Sequence, residues 1–144
     1  WHLARSYSEH GGGRTAELPQ FLFGAALVFH EATVEHTHRM HFDTGLQKAV
    51  SDCPDMLFGL QARLDDAALP ALRGLQVGTS AGILTRVDGG TFVGFAAAGS
   101  QLPEKIRSAP EPVSKLFASA RRLGAWFAME DPVTLTARWI PIEF

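Results

Sequence analysis

The chain has 144 residues, enough for one domain with a sizeable core, and we expect a single α+β domain over residues 1–144. Its net charge of −2 argues against a nucleic-acid partner, and its one cysteine, Cys53, excludes an intrachain disulfide. No apolar run reaches the ~20 residues that a membrane-spanning helix needs. Because the chain begins with Trp1 rather than methionine, we expect it to be a fragment of a longer protein.

The first forty residues are predicted to be mainly extended. Alternation over Trp1 to Ser8 indicates a short strand, and Gly11 to Arg14 is predicted to form a flexible hairpin loop. Phe21 to Val34 is apolar on both faces at first, which is typical of a central strand of a sheet. Polar alternation from Glu35 to Phe42 would continue it.

The middle of the chain is predicted to alternate between helix and strand. Thr44 to Asp52 reads as a short helix, capped by Asp43 or Thr44. Phe58 to Leu64 is predicted to be a strand. Asp65 to Leu75 has an acidic start and apolar residues at helical spacing, so we expect a second short helix there.

The last third carries the clearest signals. Ile83 to Val87 and Thr91 to Ala97 are extended patterns joined by Asp88-Gly89-Gly90, and an Asp-Gly pair in that position strongly predicts a β-hairpin. Ser108 to Met129 has one apolar face at helical spacing, with Ser108 and Glu111 spaced as a capping box. Alternation from Val133 to Trp139 predicts a closing strand.

One short motif suggests hydrolase chemistry. Gly78-Thr79-Ser80-Ala81-Gly82 matches G-x-S-x-G, which in serine hydrolases exposes the nucleophile on a sharp turn between a strand and a helix. It is similar to the nucleophile motif of patatin-like lipases, in which an aspartate in a D-G-G element, here Asp88, is the partner. The predicted context differs, because Ser80 is followed by a strand. A serine hydrolase using Ser80 and Asp88 is therefore kept as an alternative function.

A histidine cluster suggests metal binding. His36, His38 and His41 lie among acidic residues, and neutral imidazole is a common metal ligand. On a strand, His36 and His38 would point to one face, within reach of one ion. A metal-binding domain that uses these three histidines is the second alternative; the competing interpretation is a polar, exposed strand end.

Two features of the long helix are interpreted as surface. Arg121 and Arg122 lie off the apolar stripe, and we interpret them as a solvated helix face rather than a phosphate site. Trp126 also lies off the stripe, so we expect it to be partly exposed and to mark a contact surface.

The second half of the chain resembles a bacterial family of uncharacterised proteins, domain of unknown function 3137. The resemblance covers about residues 65–140. It rests on the short helix, on the Val87-Asp88-Gly89 turn with its apolar second strand, on Pro103, on the amphipathic helix, and on the closing Thr136-Ala137-Arg138-Trp139. It implies a domain without assigned catalytic residues, often tethered to a membrane by preceding segments.

These patterns together predict an antiparallel sheet with two or three helices packed on one face. We expect a bacterial binding or interaction domain, more a binding module than an enzyme, without a cofactor. Its partner would be a protein or a small molecule, with a membrane tether or a second copy of the chain as further options. The expected location is the cytoplasm or the cytoplasmic face of the membrane.

Overall fold

The computed structural model describes residues 1–131, which form an α+β structure dominated by helices. Within this range a three-stranded antiparallel sheet accompanies seven α-helices and two short 3-10 helices, at Phe42–Thr44 and Pro54–Met56. The α+β class is confirmed, but the helices outnumber the predicted two or three. The elements are α1 His2–His10, β1 Ala16–Glu17, α2 Leu18–Val28, α3 Glu31–Thr37, α4 Leu46–Asp52, α5 Leu60–Ser80, β2 Leu84–Val87, β3 Gly94–Ala97, α6 Glu104–Arg107 and α7 Val113–Met129.

The predicted hairpin is confirmed and makes up most of the sheet. Strands β2 and β3 pair antiparallel with Leu84 opposite Ala97 and Val87 opposite Gly94. The short β1 adds to the other edge of β3, so the sheet order is β1-β3-β2. Gly89 has φ +121°, a left-handed conformation that favours glycine, as the Asp-Gly signal requires.

The core forms where α7 lies along α1. Trp126 and Phe127 of α7 are buried, and Phe23 of α2 stacks on Phe127 with ring centroids 5.3 Å apart. The two helices approach so closely that a Cβ on Gly124 would lie 2.4 Å from the Leu3 carbonyl oxygen. The helix predicted from Ser108 begins only at Val113, and Ser108 instead ends α6, because Pro110 and Pro112 disfavour helical backbone before them.

Three segments predicted to be strands are helices instead. Trp1 to Ser8 falls in α1, and Phe21 to Val34 spans α2 and the start of α3. Helix α2 is apolar around most of its circumference, so its sequence has no 3.6-residue period and reads like a buried strand. Its beginning does carry a helix signal, since Glu17 and Gln20 form a capping box.

The third of these corrections concerns α5. The predicted strand Phe58 to Leu64, from Leu60 onward, and the predicted helix Asp65 to Leu75 belong to one 21-residue helix that contains Pro70 at an exposed position. The short helix predicted over Thr44 to Asp52 is confirmed as α4, although it begins at Leu46 after Gly45 rather than at an Asp or Thr cap.

The prediction of a partly exposed Trp126 is wrong. Its side chain is fully buried, and its indole N–H donates a hydrogen bond to the Phe42 carbonyl oxygen at 2.9 Å. A buried polar tip with a partner explains why tryptophan can lie beside the apolar stripe rather than on it. The closing strand predicted for Val133 to Trp139 lies outside the described residues. Among those that are described, no helix combines the length and apolarity needed to cross a bilayer.

Candidate ligand-binding cavity

Ser80 and Asp88 do not meet in an arrangement typical of a hydrolase. Ser80 is the exposed last residue of α5, and a turn leads from it into β2, so the order is helix, turn, strand. The nucleophile turn of serine hydrolases has the opposite order, strand before helix. Asp88 lies at the hairpin turn with its carboxylate 3.0 Å from Arg86 Nε. The hydrolase hypothesis stays a prediction that this geometry does not support.

The three histidines lie on or after α3 rather than on a strand. The expectation that His36 and His38 share one face is wrong, because residues two apart on a helix point in nearly opposite directions. The Nε2 of His36 lies 3.2 Å from the Ala49 carbonyl oxygen, and the Nδ1 of His38 lies 2.8 Å from that of Val34. His41 is exposed. In residues 1–131 no three His, Cys, Asp or Glu side chains are grouped so that they could hold a metal ion.

A cavity of about 380 Å³ opens between α1, α6 and α7, and we call it the arginine cavity. Helix α1 contributes residues spaced three and four apart, which therefore share one face. The loop before α6 closes one side. The cavity is lined by Trp1, His2, Arg5, Glu9, Ser100, Gln101, Leu102, Arg107, Ser114, Phe117 and Arg121.

His2 is the most unusual group in this cavity. Both of its ring nitrogens are buried, and neither has a hydrogen-bond partner among the described residues. Its ring is held by aromatic contacts instead, with Phe117 at 4.5 Å between centroids and Trp1 edge-on at 5.3 Å. Burial, followed by the nearby positive charge of Arg121, lowers the pKa of His2 to about 4, so the imidazole is neutral at pH 7.

The charged side chains around His2 do not all form ion pairs. Arg5 Nε lies 2.6 Å from the Glu9 carboxylate, and Arg107 pairs with Glu104. Arg121 has no ion-pair or hydrogen-bond partner in residues 1–131. Three guanidinium groups and one carboxylate line the cavity, so its surface has a positive excess, carried by Arg121.

A second cavity, of about 490 Å³, lies at the hairpin turn, and we call it the hairpin cavity. Its lining includes Tyr7, Arg14, Glu17 and Gly90. Arg14 donates hydrogen bonds to the carbonyl oxygens of Gly11, at 3.1 Å, and Ala128. The Glu17 carboxylate caps α2 and accepts the Phe92 backbone N–H at 3.2 Å.

The hairpin cavity thus uses its polar side chains to hold the protein together. Arg14 ties the glycine-rich loop to the end of α7, with its guanidinium over the Tyr7 ring at 5.6 Å. Burial raises the pKa of Tyr7 above its ordinary value, so its phenol stays neutral. The arginine cavity is smaller, yet it contains the two buried ring nitrogens of His2, which have no hydrogen-bond partner among the described residues.

Comparison with family models, with curated proteins and with solved structures gave no match. The resemblance to domain of unknown function 3137 therefore stays a prediction, and function must be inferred from the chemistry of the cavity.

No local pattern of the sequence predicted this cavity. Arg121 was predicted to be solvated and is exposed, but His2 and Arg5 were assigned to a strand over Trp1 to Ser8, where they would face opposite sides, and Glu9 lay beyond that strand. Their spacing of three and four residues was the available signal, because on a helix it places all three on one face.

Proposed function

We propose that this protein is a binding domain for a small organic anion, which it holds in the arginine cavity. The observation that carries this proposal is that one cavity contains the buried, unpartnered imidazole of His2 and the exposed guanidinium of Arg121, which forms no ion pair with a described residue. Buried polar atoms are hydrogen-bonded in the great majority of cases, so an orphaned one needs an explanation.

A bound ligand would supply that explanation. Leaving a buried polar group without a partner costs about 1–3 kcal/mol, which a ligand atom bonded to His2 would offset. A guanidinium binds a carboxylate or phosphate through two parallel hydrogen bonds, which suits Arg121 to an anionic head group. Trp1 and Phe117 provide flat apolar walls for the rest of the molecule, as in most small-molecule sites.

The arrangement favours binding over catalysis. Ser100 and Ser114 also line the cavity, but His2 has no hydrogen-bond partner among the described residues, so neither serine forms a nucleophile–base pair with it. The serine hydrolase built on Ser80 remains a weaker alternative, since Ser80 lies elsewhere, at the end of α5.

The test is calorimetric titration with benzoate and with its neutral analogue benzamide. We expect benzoate to bind and benzamide to bind at least tenfold more weakly. In Arg121→Gln we expect the affinity for benzoate to fall about tenfold to a hundredfold, because a charged hydrogen bond is worth about 1.5–3 kcal/mol. Arg73→Gln, at an exposed arginine of α5, is the matched control and should bind like the unmodified protein.

Two results would overturn the proposal. One is equal affinity for benzoate and benzamide, which would show that the charge of the ligand is not recognised. The other is an Arg121→Gln variant that binds benzoate as tightly as Arg73→Gln does.

A further inference from the structure

An apolar groove lies next to the arginine cavity. It runs between α2 and α5, has a volume of about 220 Å³, and is lined almost entirely by carbon. Phe21, Leu75 and Leu84 are buried at its base, whereas Phe29 on its rim is 62% exposed. We refer to this feature as the apolar groove.

Trp1 lies between the two spaces, because it lines both the arginine cavity and the apolar groove. The indole N–H donates a hydrogen bond to the Ala98 carbonyl oxygen at 3.0 Å, which fixes the ring at this boundary. The first two residues of α1 are divided between the two spaces, because His2 lines the arginine cavity and Leu3 lines the apolar groove. A positively charged space and an apolar space therefore meet at one tryptophan.

We propose that the ligand is a single-chain amphiphile, with its anionic head in the arginine cavity and its alkyl chain across Trp1 in the apolar groove. This inference rests on the proposed function, since it assumes that the arginine cavity binds the head group. The positive charge of Arg121 binds the anionic head, and the carbon lining of the groove binds the alkyl chain.

The chain should contribute to affinity in regular steps. Burying one methylene group is worth about 0.8 kcal/mol, which corresponds to about fourfold in the dissociation constant. Affinity should therefore rise along a series of alkanoates and level off once the groove is filled. A ligand held by its head group alone would show no such rise.

A larger side chain at position Gly74 should fill the groove without disturbing the fold. It lines the groove on α5, and a Cβ built there would have no other heavy atom within 4 Å. Leucine also favours helix more than glycine does, so Gly74→Leu should fold well while its side chain occupies the groove. Ala62→Leu is the matched control, because it adds leucine at another exposed position of the same helix.

The experiment is calorimetric titration with butanoate, hexanoate, octanoate and decanoate, below the concentrations at which they form micelles. In the unmodified protein and in Ala62→Leu, we expect octanoate to bind at least tenfold more tightly than butanoate. In Gly74→Leu, we expect this preference to disappear while butanoate and benzoate still bind. In Arg121→Gln, affinity should fall for every alkanoate.

The outcomes separate this inference from the proposed function. If benzoate binds but octanoate is no tighter than butanoate, or if Gly74→Leu keeps the full preference for octanoate, the amphiphile is excluded and the anion site stands. Octanol binding as tightly as octanoate would show that the chain is held without its head group, and would also overturn the inference. If benzoate and all the alkanoates fail to bind, the anion site itself is wrong.

Discussion

The arginine cavity and the hairpin cavity have similar ingredients, since each combines arginine, a carboxylate and aromatic side chains. They differ in how those groups are used. Around the hairpin, Arg14 and Glu17 have backbone partners, and they connect a loop, a helix end and a turn. Around His2, the two buried ring nitrogens have no hydrogen-bond partner in the described part of the chain, and the exposed guanidinium of Arg121 forms no ion pair there. Unmet hydrogen-bonding capacity, more than volume, distinguishes a ligand site from a structural one.

The comparison predicts that variants of the two cavities will separate stability from binding. Changes at the hairpin cavity should lower the free energy of unfolding and leave ligand affinity unaltered. Changes at Arg121 should do the reverse. A variant that adds a side-chain atom where α1 and α7 are in contact should change both stability and ligand affinity, because the arginine cavity is built on those two helices.

The largest effect is expected for Gly124→Ala. Its new methyl group would lie 2.4 Å from the Leu3 carbonyl oxygen, which is backbone and cannot move aside without shifting α1. We expect the free energy of unfolding to fall by about 2–4 kcal/mol, measured by chemical denaturation. Gly74→Ala is the control, since its methyl group meets open space and should be neutral or slightly stabilising. Equal stability of the two variants would contradict the close approach of α1 and α7.

A smaller effect is expected for Glu17→Ala. The substitution removes the side-chain cap of α2 and the acceptor of the Phe92 N–H, which should lower the free energy of unfolding by about 1–2 kcal/mol. Glu17→Gln keeps an acceptor oxygen and should lose less. Benzoate affinity, measured by titration, should match that of the unmodified protein in both variants. A tenfold weaker affinity in either one would mean that the two cavities are not independent.

The smallest effect concerns His2 and pH. The pKa of His2 is about 4 in the folded protein, below the ordinary value of 6.5, so as pH falls the unfolded chain takes up the proton first. Stability should therefore decrease between pH 6.5 and about 4 and be unaffected by His2 at higher pH. The full pKa difference corresponds to about 2.4 kcal/mol between pH 7 and pH 4.5, and solvent screening of the partly buried His2 side chain reduces it. We therefore expect the unmodified protein to lose about 1 kcal/mol more than His2→Leu over this range.

Chemical denaturation at the two pH values measures this difference. The variant is needed because burial also lowers the pKa of His30, which adds a contribution of the same sign. Parallel pH profiles for the two proteins would show that the His2 imidazole is solvated, and would remove the main argument for a ligand there.

The local elements that were predicted correctly have strong short-range signals. The hairpin depends on Asp88-Gly89, where Gly89 takes the left-handed backbone that the turn requires. Helix α7 was predicted from its apolar face, which packs on α1. The helical spacing of its apolar residues is visible in the sequence because the other face is exposed to solvent and polar. Helix α2 has no solvent-exposed face to mark its period, so its residues from Phe21 onward were predicted to be strand.

The candidate site could not be predicted from local patterns. Its residues come from three segments, around His2, Gln101 and Phe117. The first and last of these segments are more than a hundred positions apart in the sequence and meet only when α1 lies along α7. Even with α1 assigned correctly, the sequence would have placed His2, Arg5 and Glu9 on one face without revealing what that face meets.

By itself, the amino-acid sequence determined the α+β class, the hairpin, the approximate position of α7 and the absence of an intrachain disulfide. These follow from local backbone preferences and from the chemistry of a single residue type. Tertiary structure decided that Trp126 is buried and that Arg14 is hydrogen-bonded. It also buried the His2 ring nitrogens without a partner in residues 1–131, in the cavity that Arg121 lines. The reason is physical: whether a polar side chain is free to bind a ligand depends on which groups packing brings within hydrogen-bond distance.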